Sequence, residues 1–301
     1  MTVDILTIKN LKKSFGEKEV LRGLDLNVTE GSIYGFVGRN GAGKTTAMKA
    51  VLGLLRADGG EILVAGEKVV FGQTATNRYI GYLPDVPEFY PFMTSREYLR
   101  LCGESLDMSG ADIRKRSDEL LALVGLADEK HRIRGFSRGM KQRLGIAQAL
   151  LGSPKLLICD EPTSALDPIG RKEILDILLS VKDRTTVLFS THILSDVERI
   201  CTDVALLNDG RIALQGKVDC LKQANRAETF TVEAANASHA ETLAQAFPHI
   251  TERGKDTLVF SGGEEDFLAV LRFIAENKLS VRRVERTEPS LESLFLEVVA
   301  K

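Results

Sequence analysis

The residues Gly38-Arg39-Asn40-Gly41-Ala42-Gly43-Lys44-Thr45-Thr46 carry the spacing G-x-x-x-x-G-K-[ST]. Glycines at those places let successive backbone N–H groups converge on phosphate oxygens. Lys44 then reaches the β- and γ-phosphates, and the Thr45 hydroxyl is placed to bind Mg2+. An accidental glycine turn has no reason to follow the apolar run Ile33–Val37 or to precede a helix-period segment, and this loop does both. A helix that starts at Lys44 adds its partial positive charge to the same anion site. A second chemical pair, Asp160-Glu161, closes the apolar run Leu156–Cys159. Such a run is common by itself. Downstream of a phosphate loop, Asp160 supplies the hard oxygen that Mg2+ prefers, and Glu161 a carboxylate that polarises water for in-line attack.

Both pairs need a sheet whose strand ends share one edge. Ile33–Val37, Leu156–Cys159, Val187–Ser190 and Val204–Leu207 are short apolar runs, as strands buried on both faces should be. Helix-period segments separate them. After Lys44, the residues Met48, Val51, Leu52 and Leu55 fall at i, i+3, i+4 and i+7, and Asp58-Gly59-Gly60 is expected to end that helix. The alternation predicts an α/β domain with a parallel-rich sheet over residues 1–220. In open sheets of this kind, ligands bind beyond the carboxyl ends of the strands.

A different pattern begins near Leu221. Strands are expected at Thr229–Glu233, Ile250–Glu252, Thr257–Phe260 and Ser280–Arg286, with helices at Ala237–Ala246, Glu264–Glu276 and Ser290–Val299, the last starting at Pro289-Ser290. The order β-α-β-β-α-β-α fits a small α+β ferredoxin-like domain over 221–301 with one further helix. It carries no chemical constellation.

Composition removes several classes. Apolar residues are 44% of the 301 and charged residues 27%, the balance of a globular chain. Forty basic against 42 acidic residues leave a net charge of −2, so no broad positive field exists for nucleic acid. The longest stretches free of Asp, Glu, Lys and Arg are 11 residues, Leu144–Pro154 and Thr185–Ser195, against the ~20 a membrane span needs. The first residues lack the basic and apolar regions of a secretion signal. Cys102, Cys159, Cys201 and Cys220 show no CxxC or zinc spacing and are expected to be reduced, buried thiols.

Between the two chemical pairs stands Phe136-Ser137-Arg138-Gly139-Met140-Lys141-Gln142-Arg143, and after them come Ser164-Ala165-Leu166-Asp167 and His192. In this order the motifs resemble those of the ATP-binding subunit of an ABC transporter, over residues 1–220. Glu288-Pro289-Ser290-Leu291-Glu292-Ser293-Leu294-Phe295 also resembles the tail of exporters for antibiotics, drugs or sodium. The resemblance implies that Gly38 to Thr46 (Gly38, Arg39, Asn40, Gly41, Ala42, Gly43, Lys44, Thr45, Thr46) bind ATP and that Phe15 stacks on the adenine. It implies that Ser137, Arg138, Gly139 and Met140 form the signature that meets ATP held by a second subunit. Asp167 then links the two sites, Glu161 and His192 are catalytic, and Thr45, Asp85 and Asp160 attend Mg2+. A helical subdomain is implied over about 86–150. The implied activity is ATP hydrolysis by a homodimer or heterodimer that binds two ATP and drives transport, in the export direction, through a separate polytopic membrane permease. That places the chain in the cytoplasm, peripheral on the inner face of the membrane.

The sequence departs from the usual pattern twice. The signature commonly reads Leu-Ser-Gly-Gly-Gln; here Arg138 adds a cation and Met140 removes an amide. Asp85 stands where the family has a glutamine that touches Mg2+ and water, one methylene shorter and charged. The segment Val86-Pro87-Glu88-Phe89-Tyr90-Pro91-Phe92 is a candidate docking surface, or else a local core under a loop. The rival reading is a soluble ABC-type ATPase acting in assembly or regulation without transport. Chromosome-type members need a long coiled-coil insertion, and Lys44 to Ser137 spans 93 residues (137 − 44).

Overall fold

A computed structural model describes residues 3–224, 229–247, 250–287 and 290–300. Among them the chain starts with two long strands, β1 (Asp4–Phe15) and β2 (Lys18–Thr29). Strand β3 (Ile33–Gly38) leads through the glycine loop into helix α1 (Lys44–Val51). Next come β4 (Gly59–Val64), the two-residue β5 (Glu67–Lys68) and β6 (Ile80–Leu83). Three helices follow, α2 (Ser95–Ser105), α3 (Gly110–Leu123) and α4 (Arg138–Leu150), which form the helical part of this unit. The unit continues through β7 (Leu156–Asp160), α5 (Pro168–Ser180), β8 (Thr186–Thr191), α6 (Leu194–Ile200), β9 (Asp203–Asn208) and β10 (Arg211–Lys217). Helix α7 (Val218–Ala224) comes after it.

The main sheet has the order β10-β9-β3-β8-β7-β6, parallel throughout except for β10 against β9. Its three central strands are buried at every residue, which is why they read as unbroken apolar runs. A second sheet, β2-β1-β4-β5, is antiparallel. The inner faces of both sheets enclose one core with α1, in which Leu6, Leu24, Phe36, Met48 and Ile158 are buried. By the measure of ~25 cal/mol per Å2 of apolar surface, each such side chain contributes about 1.5–3 kcal/mol.

Two expectations need correction. Helix α1 ends at Val51, not near Asp58: Gly53 takes a left-handed φ of +68° and turns the chain, so Leu55 lies beyond the helix and Gly59-Gly60 opens β4 instead. The cysteines are all free, yet Cys159 alone of the four is fully buried; Cys102 and Cys201 are partly covered, and Cys220 on the short α7 is exposed.

The chain divides into two compact units, the second spanning Asp219–Glu297. That unit runs β11 (Thr229–Ala234), α8 (Ala237–Ala246), β12 (Ile250–Arg253), β13 (Thr257–Ser261), α9 (Glu264–Glu276) and β14 (Val281–Thr287), with α10 (Leu291–Ala300) closing the described chain. Its antiparallel sheet has the order β12-β13-β11-β14, the ferredoxin-like arrangement. Phe230 stacks on Phe260 with centroids 5.0 Å apart, and Phe247 and Phe267 meet them edge-on, so this unit has its own aromatic core. Glu288 and Pro289 of the exporter-like tail lie outside the described residues.

Candidate functional site

Strands β3, β7 and β8 are parallel and end side by side, with Val37 opposite Thr191 and Asp160 opposite Ser190. That shared edge brings the glycine loop, the Asp160-Glu161 pair and His192 together. Gly43, the N-cap of α1, has φ +110°, a conformation that a side chain at this position would resist. No side chain caps this helix start, so its first N–H groups remain available to an anion.

Lys44 is curled into the loop it follows and is only 6% exposed. Its Nζ donates to Gly38 O at 2.6 Å and lies 3.0 Å from Glu161 Oε1. The other Glu161 oxygen, Oε2, is 2.9 Å from His192 Nδ1. An acceptor there fixes the proton on Nδ1 and leaves Nε2 of this half-exposed ring free. Thr45 Oγ1 donates to Asp160 Oδ2 at 2.7 Å, and Ser190 Oγ donates to Asp160 Oδ1 at 2.6 Å. The Asp160 carboxylate is thus buried but satisfied.

Glu161 itself has φ +48°, uncommon for a residue with a side chain. Its N–H points at Ser190 twice, 3.0 Å from Oγ and 3.2 Å from the carbonyl O, and these contacts hold the conformation in place. Ser190 escaped the sequence reading although it touches both acidic residues. The signal was the polar Ser190-Thr191-His192 at the end of an apolar strand; what it lacked was the pairing partner, which only the sheet register supplies. Thr163 and Arg171 were missed similarly. Both donate to the buried Asp196, at 2.8 and 2.5 Å, and tie the segment after Glu161 to α6.

A cavity of about 420 Å3 opens at this edge, walled by Asn40, Gly41, Gly43 to Thr46, Asp85, Glu161, Ser164, His192 and Val20 of β2. Arg39 and Asn40 are exposed on the loop, and Ala42 is half-buried. Phe15 stands apart from these walls at the end of β1, 52% exposed with Lys13 Nζ 5.3 Å from its ring centre, an open aromatic face and not a core residue. Asp85 faces the cavity from the loop after β6. Burial raises its carboxyl above the usual carboxylate range; Arg138 opposes this, and the nearby Asp160 and Glu161 add to it.

These donors suit Mg2+. Among the described residues no three His, Cys, Asp or Glu side chains gather closely enough to hold a metal by themselves. Mg2+ asks for less, one or two protein oxygens plus substrate phosphates, and the joined Thr45 and Asp160 oxygens meet that need. Asp85 is a further oxygen on the same cavity.

The signature residues do not line this cavity. Ser137 caps α4, its Oγ accepting from the Met140 N–H at 3.2 Å, and both Ser137 and Arg138 are exposed. Gly139 and Met140 are half-buried in the first turn. The capped N-terminus of this 13-residue helix faces outward, with the partial positive charge of its dipole there. Asp167 is likewise exposed and caps α5 by accepting from Gly170 N–H at 3.2 Å. Along 86–92, Phe89 packs edge-on against Tyr98 at 5.0 Å, whereas Val86, Tyr90 and Phe92 are exposed. A groove of about 410 Å3 runs past Val86 and Phe89 of this segment, lined also by Arg134, Arg138 and Lys141.

Residues 21–164 match the family model for the ABC transporter, and residues 216–299 match that of the C-terminal domain of DrrA1-3-like ATP-binding proteins. The chain is 38% identical over 300 residues to YxlF of Bacillus subtilis (strain 168), an uncharacterized ABC transporter ATP-binding protein, covering 98% of this chain and 99% of that one. It is 35% identical over 314 residues to the bacitracin transport ATP-binding protein BcrA of Bacillus licheniformis, covering 98% and 97%. Among solved structures, the dimeric post-hydrolysis state of the ATP-binding cassette MJ0796 with ADP and Pi superposes with a TM-score of 0.63 at 27% identity, covering 71% of this chain and 98% of that one.

Proposed function

Because the chain belongs to the ATP-binding proteins of ABC transporters, we propose that it hydrolyses ATP as a dimer and thereby powers export through a separate membrane permease. The observation that carries this reading is the linked set Lys44–Glu161–His192 beside Thr45–Asp160, all on one strand edge above an open cavity.

In this reading residues 1–220 are the ATP-binding domain and 221–301 an accessory domain. The glycine loop and the N–H groups of α1 bind the phosphates, with Lys44 turning from Gly38 and Glu161 to the β- and γ-oxygens. Thr45 and Asp160, with Asp85, hold Mg2+, which supplies positive charge at the phosphates when bound. Glu161 takes a proton from the attacking water, and His192, held by Glu161 through Nδ1, contacts the γ-phosphate. Phe15, exposed on β1, stacks on the adenine. Each cavity lacks a lid. Ser137 and Gly139 of a second subunit, presented at the N-terminus of α4, complete it, with Asp167 of one subunit beside the site of the other.

Support for the dimer comes from the outward display of the signature and from the likeness to a dimeric cassette. Support for a separate permease is that, among the described residues, no helix is long and apolar enough to cross a membrane. The groove past Val86 and Phe89, together with the exposed Tyr90 and Phe92, is the proposed permease contact. The match of the C-terminal domain and the relatedness to a bacitracin transport protein favour export.

Two measurements test this. Mixing Ser137→Phe with Lys44→Ala protein should restore one working site in each mixed dimer, the one that joins an intact loop to an intact signature. A mixture no more active than its components, or a rate per molecule that persists at dilutions where light scattering finds monomer, contradicts the composite site. The tagged protein, isolated in mild detergent from its own membranes, should bring down a polytopic membrane protein, and Tyr90→Asp with Phe92→Asp should release it. Isolation without such a partner favours an ATPase that does not transport.

A further inference from the structure

Two of the residues at which this sequence leaves the family pattern, Asp85 and Arg138, touch one another. Arg138 Nη2 lies 3.4 Å from Asp85 Oδ1, with both side chains a little under half exposed. The Asp85 backbone is gripped as well: its carbonyl oxygen accepts from Nε2 of the fully buried Gln142 at 2.6 Å. Arg138, Gln142 and Gly145 are spaced by four and three residues, so they share one face of α4. Gly145 completes the seat, because a Cβ there would come within 2.5 Å of Leu83 and 3.4 Å of Pro87. The loop from Leu83 to Pro87 therefore rides on the helix that carries the signature.

Asp85 lines both the nucleotide cavity and the groove beside Val86, whereas Arg138 lines the groove. The carboxylate thus has two directions to face, toward Arg138 or toward the oxygens of Thr45 and Asp160. Gln142 fixes its backbone between them. A half-exposed pair between one carboxylate and one guanidinium is weak. A divalent cation held with ATP is a harder and more highly charged competitor for the same oxygens. Two cations on one carboxylate also repel each other, which favours one partner at a time.

We propose that Asp85 exchanges partners, holding Arg138 in the nucleotide-free chain and releasing it when Mg2+ and ATP claim the carboxylate. Filling a subunit's own cavity then frees the cation of its signature for the anion bound in the second subunit. Gln142 is the positioning residue that keeps Asp85 within reach of both. The exchange rests on the nucleotide reading given above.

The test is the Mg2+ dependence of binding for a fluorescent, non-hydrolysable ATP analogue, at protein concentrations where scattering shows monomer. Five chains are compared: wild type, Arg138→Ala, Arg138→Lys, Asp85→Gln and the double variant Asp85→Gln/Arg138→Ala. Removing Arg138 removes the competitor, so the Mg2+ midpoint should fall by about two- to fivefold. Arg138→Lys, which keeps the charge, should stay near wild type. In the Asp85→Gln background, Arg138→Ala should shift nothing. An unchanged midpoint in Arg138→Ala overturns the exchange, and so does an equal shift in the Asp85→Gln background, which marks a diffuse charge effect. Wild type that binds the analogue at no Mg2+ concentration overturns the nucleotide reading and the exchange together; Mg2+-dependent binding without the Arg138 effect overturns the exchange alone.

Discussion

Replacing Glu161 by glutamine should nearly abolish ATP hydrolysis and leave ATP bound. The side chain keeps its length and its place, but the amide no longer accepts a proton from water. General-base assistance is worth about 10²–10⁴ in rate, and a loss of that size is expected in steady-state phosphate release. Binding should hold or tighten. One Glu161 oxygen stands 3.0 Å from Lys44 and competes for it with any phosphate. Glutamine relaxes that hold and removes a negative charge from the wall of the cavity. The variant should therefore accumulate as an ATP-bound dimer, visible by size exclusion in ATP and Mg2+. Turnover at the wild-type rate would take Glu161 out of this role.

Lys44→Ala should move the other way, losing nucleotide before any chemistry begins. Lys44 is nearly buried and its donors point into the loop and at Glu161. Hydrogen bonds to charged groups are worth about 1.5–3 kcal/mol, so affinity for an ATP analogue should drop roughly tenfold to a hundredfold. Alanine also leaves the Glu161 carboxylate facing the phosphates without its cation, which adds to the loss. Unchanged affinity in a fluorescence titration would refute the phosphate-loop assignment. The two variants sit on opposite ends of one ion pair and should shift binding in opposite directions.

What could be read from the sequence was mostly local. The glycine loop, the strand before it and the Asp160-Glu161 pair are defined by contiguous residues, and the chemistry proposed for them follows from residue type and spacing. In the second unit, helices Ala237–Ala246 and Glu264–Glu276 lie where their spacing put them, and their starts are marked by Asn236, which caps the first, and by Gly262-Gly263 before the second. The antiparallel sheet of β1, β2, β4 and β5 was not read. Its alternation is broken by irregular register between Ile8 and Leu11 and by Gly23 at φ +92°, which leaves Leu21 and Leu24 three residues apart and hides the period of two. Ser190 was invisible for a different reason. Its importance lies in facing Asp160 across a strand pair 30 residues apart in the chain, and no spacing rule reaches that far. The contact of Asp85 with Arg138 is of the same kind: each was legible as an oddity, and the helix face that joins them was not.

The left-handed backbone at residue 161 also limits how this site can change over generations. A codon under drift samples many amino acids, but valine, isoleucine and threonine crowd the main chain in that conformation and would strain the turn. Asparagine and glycine adopt it easily, and glutamine does so no worse than glutamate. The replacements that the backbone accepts best are thus ones that lack a proton acceptor of the right reach. On the proposed role of Glu161, mutation here passes through a steric filter that lets the turn survive while the base disappears, so lineages that lose turnover at this position should keep a folded, nucleotide-binding cassette.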